Sequence, residues 1–233
     1  MDKKNNYEGL KKMAAELGAV AFGVCDIKEE RKNFNLPPEI VEDLDFAVSI
    51  AVRLSKKILD AITDKPTKLY FHHYKQANNL LDHISMRIAA FIQQQGFNAL
   101  PIPASQIVDW HKQTAHLSHK RIAELAGIGW SGRHNIVVNP EYGAQIRLTT
   151  ILTDMPLSVD KRLEEDCGKC KRCVGVCPAD AIKESPGDFD HLACFEKLKF
   201  FQKQRYADQF ICGICVKACA GKPIRLPSFC DSK

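Results

Sequence analysis

The sequence predicts an α+β protein in which an α/β domain is followed by a small cysteine-built module. Three observations carry this. Apolar runs of strand length alternate with helical patterns over residues 1–158. Eight of the ten cysteines fall between Cys167 and Cys219. The chain has 233 residues, 45% of them hydrophobic, enough for a sizeable core and two domains. The expected boundaries are 1–158 for the α/β domain, 159–222 for the cysteine module and 223–233 for a tail.

Residues 4–17 place Leu10, Met13, Ala14 and Leu17 at helical intervals, and Gly18 closes the helix. Ala19–Cys25 is a short apolar run and reads as a buried strand. Pro37-Pro38 opens a brief helix ending near Asp43, and Asp45–Val52 is a second strand. Thr67–Gln95 is one long helix, with Leu69, His73, Leu80, Ile84, Ile88 and Phe91 as its stripe and Gly96 as its stop. Phe97–Ile102 reads as a strand entering a loop from Pro101 to Thr114, and Ser118–Ala126 as a helix. Ile136–Val138 and Ala144–Leu152 read as a β-hairpin turning at Pro140–Gly143. No apolar run reaches about 18 residues, so no membrane span is expected. The N-terminus, with Lys3, Lys4, Lys11 and Lys12, reads as an amphipathic helix and not a targeting peptide. A cytoplasmic location is expected, in a cell reducing enough to suit anaerobic metabolism.

Cys167, Cys170, Cys173 and Cys177 are spaced C-x2-C-x2-C-x3-C, with Pro178 immediately after. That run is the ligand pattern of bacterial 4Fe-4S ferredoxins, whose fourth cysteine ligates the other of two clusters. Short C-x2-C loops let thiolates curl around a cube while backbone N–H groups face its sulfurs. Pro178, which has no N–H, ends the loop. A second run is altered: Cys212, Cys215 and Cys219 keep the spacing, but Gln209 stands where its first cysteine belongs. Cys194 is the other cysteine nearby and is expected to fill the vacancy through a fold-back of Phe195–Phe210. Crossing then assigns Cys167, Cys170, Cys173 and Cys219 to one cluster, and Cys177, Cys194, Cys212 and Cys215 to the second. Zinc sites and disulfides are the alternatives. The three-residue step into Cys-Pro argues against the first, and the absence of a secretory signal against the second.

The formal charge of +5 overstates basicity, because each oxidised cubane with four thiolates carries about −2. A nucleic-acid reading from charge alone weakens accordingly. Lys169, Lys171 and Arg172 suit offsetting cluster charge or docking a low-potential electron donor such as ferredoxin or flavodoxin.

Ala126-Gly-Ile-Gly-Trp-Ser-Gly-Arg-His-Asn135, Val138-Asn-Pro-Glu-Tyr-Gly143 and Leu152-Thr-Asp-Met-Pro-Leu157 form a distinctive stretch. With the cysteine pattern and its displaced Cys194, with Glu16-Leu-Gly18, and with Tyr70 to Tyr74, it resembles the epoxyqueuosine reductases and, more distantly, the reductive dehalogenases. The resemblance covers roughly residues 1–222. It implies a nitroreductase-like α/β domain, a ferredoxin-like module with two 4Fe-4S clusters, and a cobalamin held base-off between them. Gly129, Trp130, Ser131, Gly132 and Arg133 match the loop on the corrin side, and glycines suit close approach to a flat ligand. With Ser105 they are the cofactor-binding candidates, in a pocket expected to be lined by Ser105–His116 and Trp130–Asn135.

Two departures bear on activity. Those enzymes carry a carboxylic general acid about 17 residues before the tryptophan, where this chain has Gln113, and an amide cannot replace it. Asp109, His111 and His116 are candidates to substitute, and no catalytic residue is assigned. After Cys219 the chain reads Ala-Gly-Lys222 in place of Pro-Trp-Asn, with no helical-repeat region before Lys233. Transfer RNA is therefore not an expected partner. The expected function is an iron–sulfur oxidoreductase that feeds a cobalamin-type cofactor and a small-molecule substrate. The alternative is an electron-transfer protein serving a partner enzyme or reducing a corrinoid protein, and a bound flavin is a third reading. Among the remaining residues, Tyr74 is a second proton source, His119 joins His111 and His116, Cys25 reads as a core residue and Cys230 as incidental.

Overall fold

The computed structural model describes residues 2–110 and 113–221. The expectations for His111, Lys222, the 223–233 tail and Cys230 lie outside the described residues.

Helix α1 (Lys3–Glu16) starts where the Asp2 carboxylate accepts from the Lys4 N–H, and buries Tyr7, Leu10 and Ala14. Gly18, at φ 102°, turns the chain out of it into strand β1 (Ala21–Asp26). Strand β2 (Phe46–Arg53) leads into a short helix α2 (Lys56–Asp60), which sequence reasoning missed. Helix α3 (Lys68–Gln94) is capped by the Thr67 hydroxyl accepting from Tyr70 N. Strand β3 (Ala99–Ile102), helix α4 (His119–Leu125), strands β4 (Trp130–Ser131) and β5 (Val137–Val138), and strand β6 (Ile146–Thr153) complete the α/β part. The main sheet runs β1-β2-β6-β3 with every pairing antiparallel. The fold is thus mixed α/β. In the cysteine-rich part, helices α5 (His191–Lys203) and α6 (Ile214–Ala218) went unread. The first buries only Phe201 and so shows no clear stripe, and the second is five residues long.

Two local expectations are corrected. The buried face of α3 is Tyr70, Phe71, Ala77, Leu81, Ile84, Ile88 and Ile92, whereas Leu69 and Leu80 are 56% and 40% exposed. Leu80 and Leu81 both sit at helical spacing from Ile84 and Ile88, so spacing alone does not choose the phase. The hairpin is not formed either. β5 pairs with β4, while β6 lies between β2 and β3. The turn itself exists, with Asn139 bridged to Gly143 and the Asn139 Oδ1 accepting from Glu141 N and Tyr142 N. Beyond it Ala144 N donates to the Cys219 carbonyl at 2.9 Å, which draws the second arm away from the first.

Ile211, Ile214 and Val216 share one hydrophobic cluster with Leu10, Ile50, Ile84 and Ile151. The core therefore runs across residue 158, and the cysteines of the C-terminal part hang from the same packing as the sheet. Among the described residues no helix is long and apolar enough to cross a membrane.

Candidate functional site

The segment carrying Cys167, Cys170 and Cys173 has no regular secondary structure and is shaped by tight turns. Cys170 N donates to the Cys167 carbonyl at 2.9 Å, and Asp180 N to that of Cys177 at 3.1 Å. Cys219 arrives from the end of α6. A Cβ on Gly143, at φ 59°, would lie 2.2 Å from its carbonyl oxygen, so a glycine is what allows Cys219 to sit here. Burial pushes the Cys219 thiol up to about 11, with Cys167 and Cys173 adding to the shift. Cys173 is likewise raised by burial and then by Cys167 and Cys170. Cys170 is exposed and pulled down, first by the backbone N–H of Arg172. Arg133 reaches the same loop, donating from Nη2 to the Gly168 carbonyl at 2.8 Å. Among the described residues, its Nε and the Trp130 indole nitrogen are buried without a hydrogen-bond partner.

Cys177, Cys194, Cys212 and Cys215 all line a single cavity of about 210 Å³. Cys194 sits in the first turns of α5, whose start is capped by Asp190 accepting from Ala193 N. Cys212 and Cys215 flank Gly213, at φ 82°, where a Cβ would stand 2.6 Å from the Tyr70 ring. Burial pushes the Cys212 thiol up to about 12 and Cys215 well above the ordinary range. Cys194 and Cys177 add to both shifts, so these thiols feel one another more than solvent. Four such groups favour the thiolate only when a polycationic core offsets their charge. Among the described residues no three Cys, His, Asp or Glu side chains converge on a single ion. A cluster spreads its ligands wider than one ion does, so this donor set fits iron–sulfur cubes better than mononuclear metal.

A second cavity, of about 810 Å³, adjoins this one. Lys120, Asn135 and Ile136 line both and so form a shared wall. Lys120 Nζ donates to the Asn135 carbonyl at 2.9 Å and to its Oδ1 at 3.1 Å, and burial lowers the ammonium pKa. On another side, Arg147 stacks 4.4 Å from the Tyr74 ring centroid and donates to the Tyr74 hydroxyl at 3.1 Å. That hydroxyl lies 2.5 Å from Ser105 Oγ. His119 bonds Thr150 Oγ1 through Nδ1 at 2.8 Å and Pro103 O through Nε2 at 3.1 Å, and burial pushes its pKa down to about 4. Gln113 lines the cavity with its Oε1 held 2.6 Å from His191 Nε2.

Of the cofactor-binding candidates, Ser105 lines the large cavity, whereas Gly129, Trp130, Ser131, Gly132 and Arg133 line neither cavity. A Cβ on Gly129 would stand 2.3 Å from the Val138 carbonyl, and one on Gly132 2.6 Å from the His134 ring. These glycines let β4 close on β5 and make room for an imidazole. Asp109 and Asn135 also line the large cavity, while His116 turns to the Asn35 carbonyl and does not. Tyr70, Lys120 and Arg147 were missed. Lys120 and Arg147 lie on regular elements without a motif, where only helical or strand phase could have pointed to them, while Tyr70 stood in the Tyr70–Tyr74 segment without being read as lining a cavity.

Residues 162–183 match the model of a 4Fe-4S binding domain. A Bacillus cereus protein named epoxyqueuosine reductase is 33% identical over 114 residues, which are 46% of this chain and 30% of that one. The resemblance is to epoxyqueuosine reductase. The aligned part thus spans less than a third of the curated relative. In fold, a catabolic reductive dehalogenase in complex with 3-bromo-4-hydroxybenzoic acid aligns with TM-score 0.73 at 20% identity, over 94% of this chain and 32% of that one. An epoxyqueuosine reductase with a tRNA-Tyr epoxyqueuosine-modified stem loop aligns with TM-score 0.65 at 20% identity, over 91% and 64%.

These findings overturn the expectation that set transfer RNA aside. It leaned on Gln113 and on the residues after Cys219, whereas the part shared with the RNA-bound epoxyqueuosine reductase takes in 91% of this chain.

Proposed function

We propose that the chain is an iron–sulfur reductase related to epoxyqueuosine reductase. Cys167, Cys170, Cys173 and Cys219 hold one 4Fe-4S cluster, and Cys177, Cys194, Cys212 and Cys215 the second. Bound there, the first cluster would present Cys170 to an electron donor at the surface, and the second would adjoin the wall shared with the large cavity. The wall of Lys120, Asn135 and Ile136 common to both cavities is the observation that carries this reading.

The large cavity falls within the ~300–1,000 Å³ range of ligand sites and is lined by apolar Tyr70, Ile146 and Leu148 beside polar Ser105, Lys120 and Arg147. These residues suit a large, mostly flat cofactor, and a cobalamin is the one the resemblance implies. When bound it supplies a cobalt centre that accepts electrons singly. The chain's own groups do the rest. Arg147, stacked on and bonded to Tyr74, holds the Tyr74 hydroxyl against Ser105 Oγ at the edge of the cavity. Lys120 Nζ holds Asn135 in the wall between the two cavities. The relatives' name points to an epoxide-bearing nucleoside on transfer RNA as the substrate.

One observation favours a second reading, electron transfer to a partner or corrinoid protein. Gln113 replaces the carboxylic acid of the related enzymes, and its side-chain oxygen is engaged by His191.

The test is electron paramagnetic resonance on anaerobically purified, cluster-replete protein titrated with cob(II)alamin. A base-off cobalt signal saturating near one equivalent, together with reduction of an epoxyqueuosine-bearing stem loop, supports the enzyme. A free-cobalamin signal beside intact cluster signals refutes it and leaves the electron carrier.

A further inference from the structure

We propose that His134 donates a hydrogen bond to a sulfur of the second cluster and sets that cluster's potential. The inference rests on the reading of Cys177, Cys194, Cys212 and Cys215 as its ligands.

His134 is 3% exposed and lines the 210 Å³ cavity with all four of those cysteines. Its Nδ1 accepts from Ile136 N at 3.2 Å, so the neutral ring carries its proton on Nε2. Among the described residues no acceptor meets that N–H, which leaves it open to the cavity that the ring lines. The ring is fixed in place. A Cβ at position 132 would come within 2.6 Å of Cε1 and 3.0 Å of Nδ1, so Gly132 is a glycine to admit the imidazole. Of the other cations and donors on this wall, Lys120 Nζ is committed to Asn135 and His191 Nε2 to Gln113, while Lys197 Nζ lies over the Phe200 ring at 5.2 Å and acts on Cys212 through its charge. The donor set around the cavity is sulfur, and cluster and thiolate sulfurs accept N–H groups.

A hydrogen bond to sulfur stabilises the reduced, more negative cluster over the oxidised one and raises its potential. The effect is directional. It draws an electron from the first cluster toward the wall shared with the large cavity.

The experiment uses the holoprotein. Iron and sulfide analysis comes first: about eight irons per chain supports the ligand reading, and about four or fewer overturns it together with this inference. On protein with full iron, pulsed electron paramagnetic resonance of the reduced clusters with 15N-histidine is recorded in H2O and D2O. Expected are coupling to one histidine nitrogen and to an exchangeable proton, both absent in His134→Leu and both present in His191→Leu. Redox titration of His134→Leu should move one cluster negative, by roughly tenfold in its one-electron reduction constant (~59 mV), and leave the other in place. His134→Gln, which keeps an N–H, should recover most of the shift. Absence of histidine coupling in iron-replete wild type overturns the inference even if His134→Leu does not fold. So does coupling that survives in His134→Leu, or a potential that His134→Leu does not move.

Discussion

The two cysteine groups use one residue type and are built by opposite means. The first takes three thiols from Cys167 to Cys173, a single irregular loop, and keeps Cys170 at the surface. The second gathers Cys177, Cys194, Cys212 and Cys215 from the loop end, from α5 and from the start of α6, and encloses them beside Tyr70 and His134. The loop shapes three of its four thiols by its own turns and takes Cys219 from the end of α6. A distributed set needs the whole core, since Ile211, Ile214 and Val216 pack into the cluster that holds the sheet. The contrast also separates the roles: the group with Cys170 at the surface can meet an electron donor, and the group lining the smaller cavity adjoins the larger one.

The largest expected effects come from the ligands. Cys194→Ala should lose the second cluster and keep the first, roughly halving bound iron. Retention of both clusters would break the assignment. Cys219→Ala should damage the cluster of Cys167, Cys170 and Cys173, although its nearest cysteine in sequence, Cys215, belongs to the other. Site-selective spectroscopy giving the reverse would sink the crossing.

Next comes Gly213→Ala. It forces a side chain onto φ 82° with its Cβ 2.6 Å from the Tyr70 ring. A cost of about 2–4 kcal/mol in thermal unfolding is expected, with the second cluster lost before the first. Equal sensitivity of both clusters would show that the two groups share one scaffold.

A smaller effect is expected from pH at the cavity wall. His119, with its pKa pushed down to about 4, is neutral in the fold, whereas an unfolded histidine titrates near 6.5. The unfolded state therefore binds the proton first. This contribution is complete above about pH 6.5 and is lost as pH falls toward 4, on the order of 3 kcal/mol. His119→Gln should flatten that part of the stability–pH curve, and an unchanged curve would contradict the buried neutral ring.

The smallest effect is expected at the surface of the first group. Lys171 and Glu184 pair with both side chains more than half exposed. Lys171→Ala should leave stability and both cluster potentials unmoved in ordinary salt. A selective shift of the first potential would show that its surface charges tune it as well.

Legibility in the sequence obeyed the same division. The Cys-x2-Cys loops announced themselves because ligand spacing there is a local property. The long helix and all four strands of the main sheet were readable because periodicity is local too. What went unread was pairing. Val137–Val138 and Ile146–Thr153 both look like strands, but joining them to β4 and to β2 with β3 depended on contacts far along the chain. The glycine loop was legible as close approach, but its protein neighbours, Val138 of β5 and the His134 ring, were not.

By itself, then, the sequence determined the chemistry of the C-terminal part: eight cysteines at spacings that suit iron–sulfur clusters, and a chain similar to epoxyqueuosine reductase. Tertiary structure alone decided what surrounds those thiols. It placed Tyr70 from α3, Lys120 from α4 and Arg147 from β6 around one cavity, and His134 around the other. The reason is physical. Ligand spacing is set by a few bonds between neighbouring residues, while a cavity wall is set by how distant helices and strands pack, and that packing leaves no fixed interval in the chain.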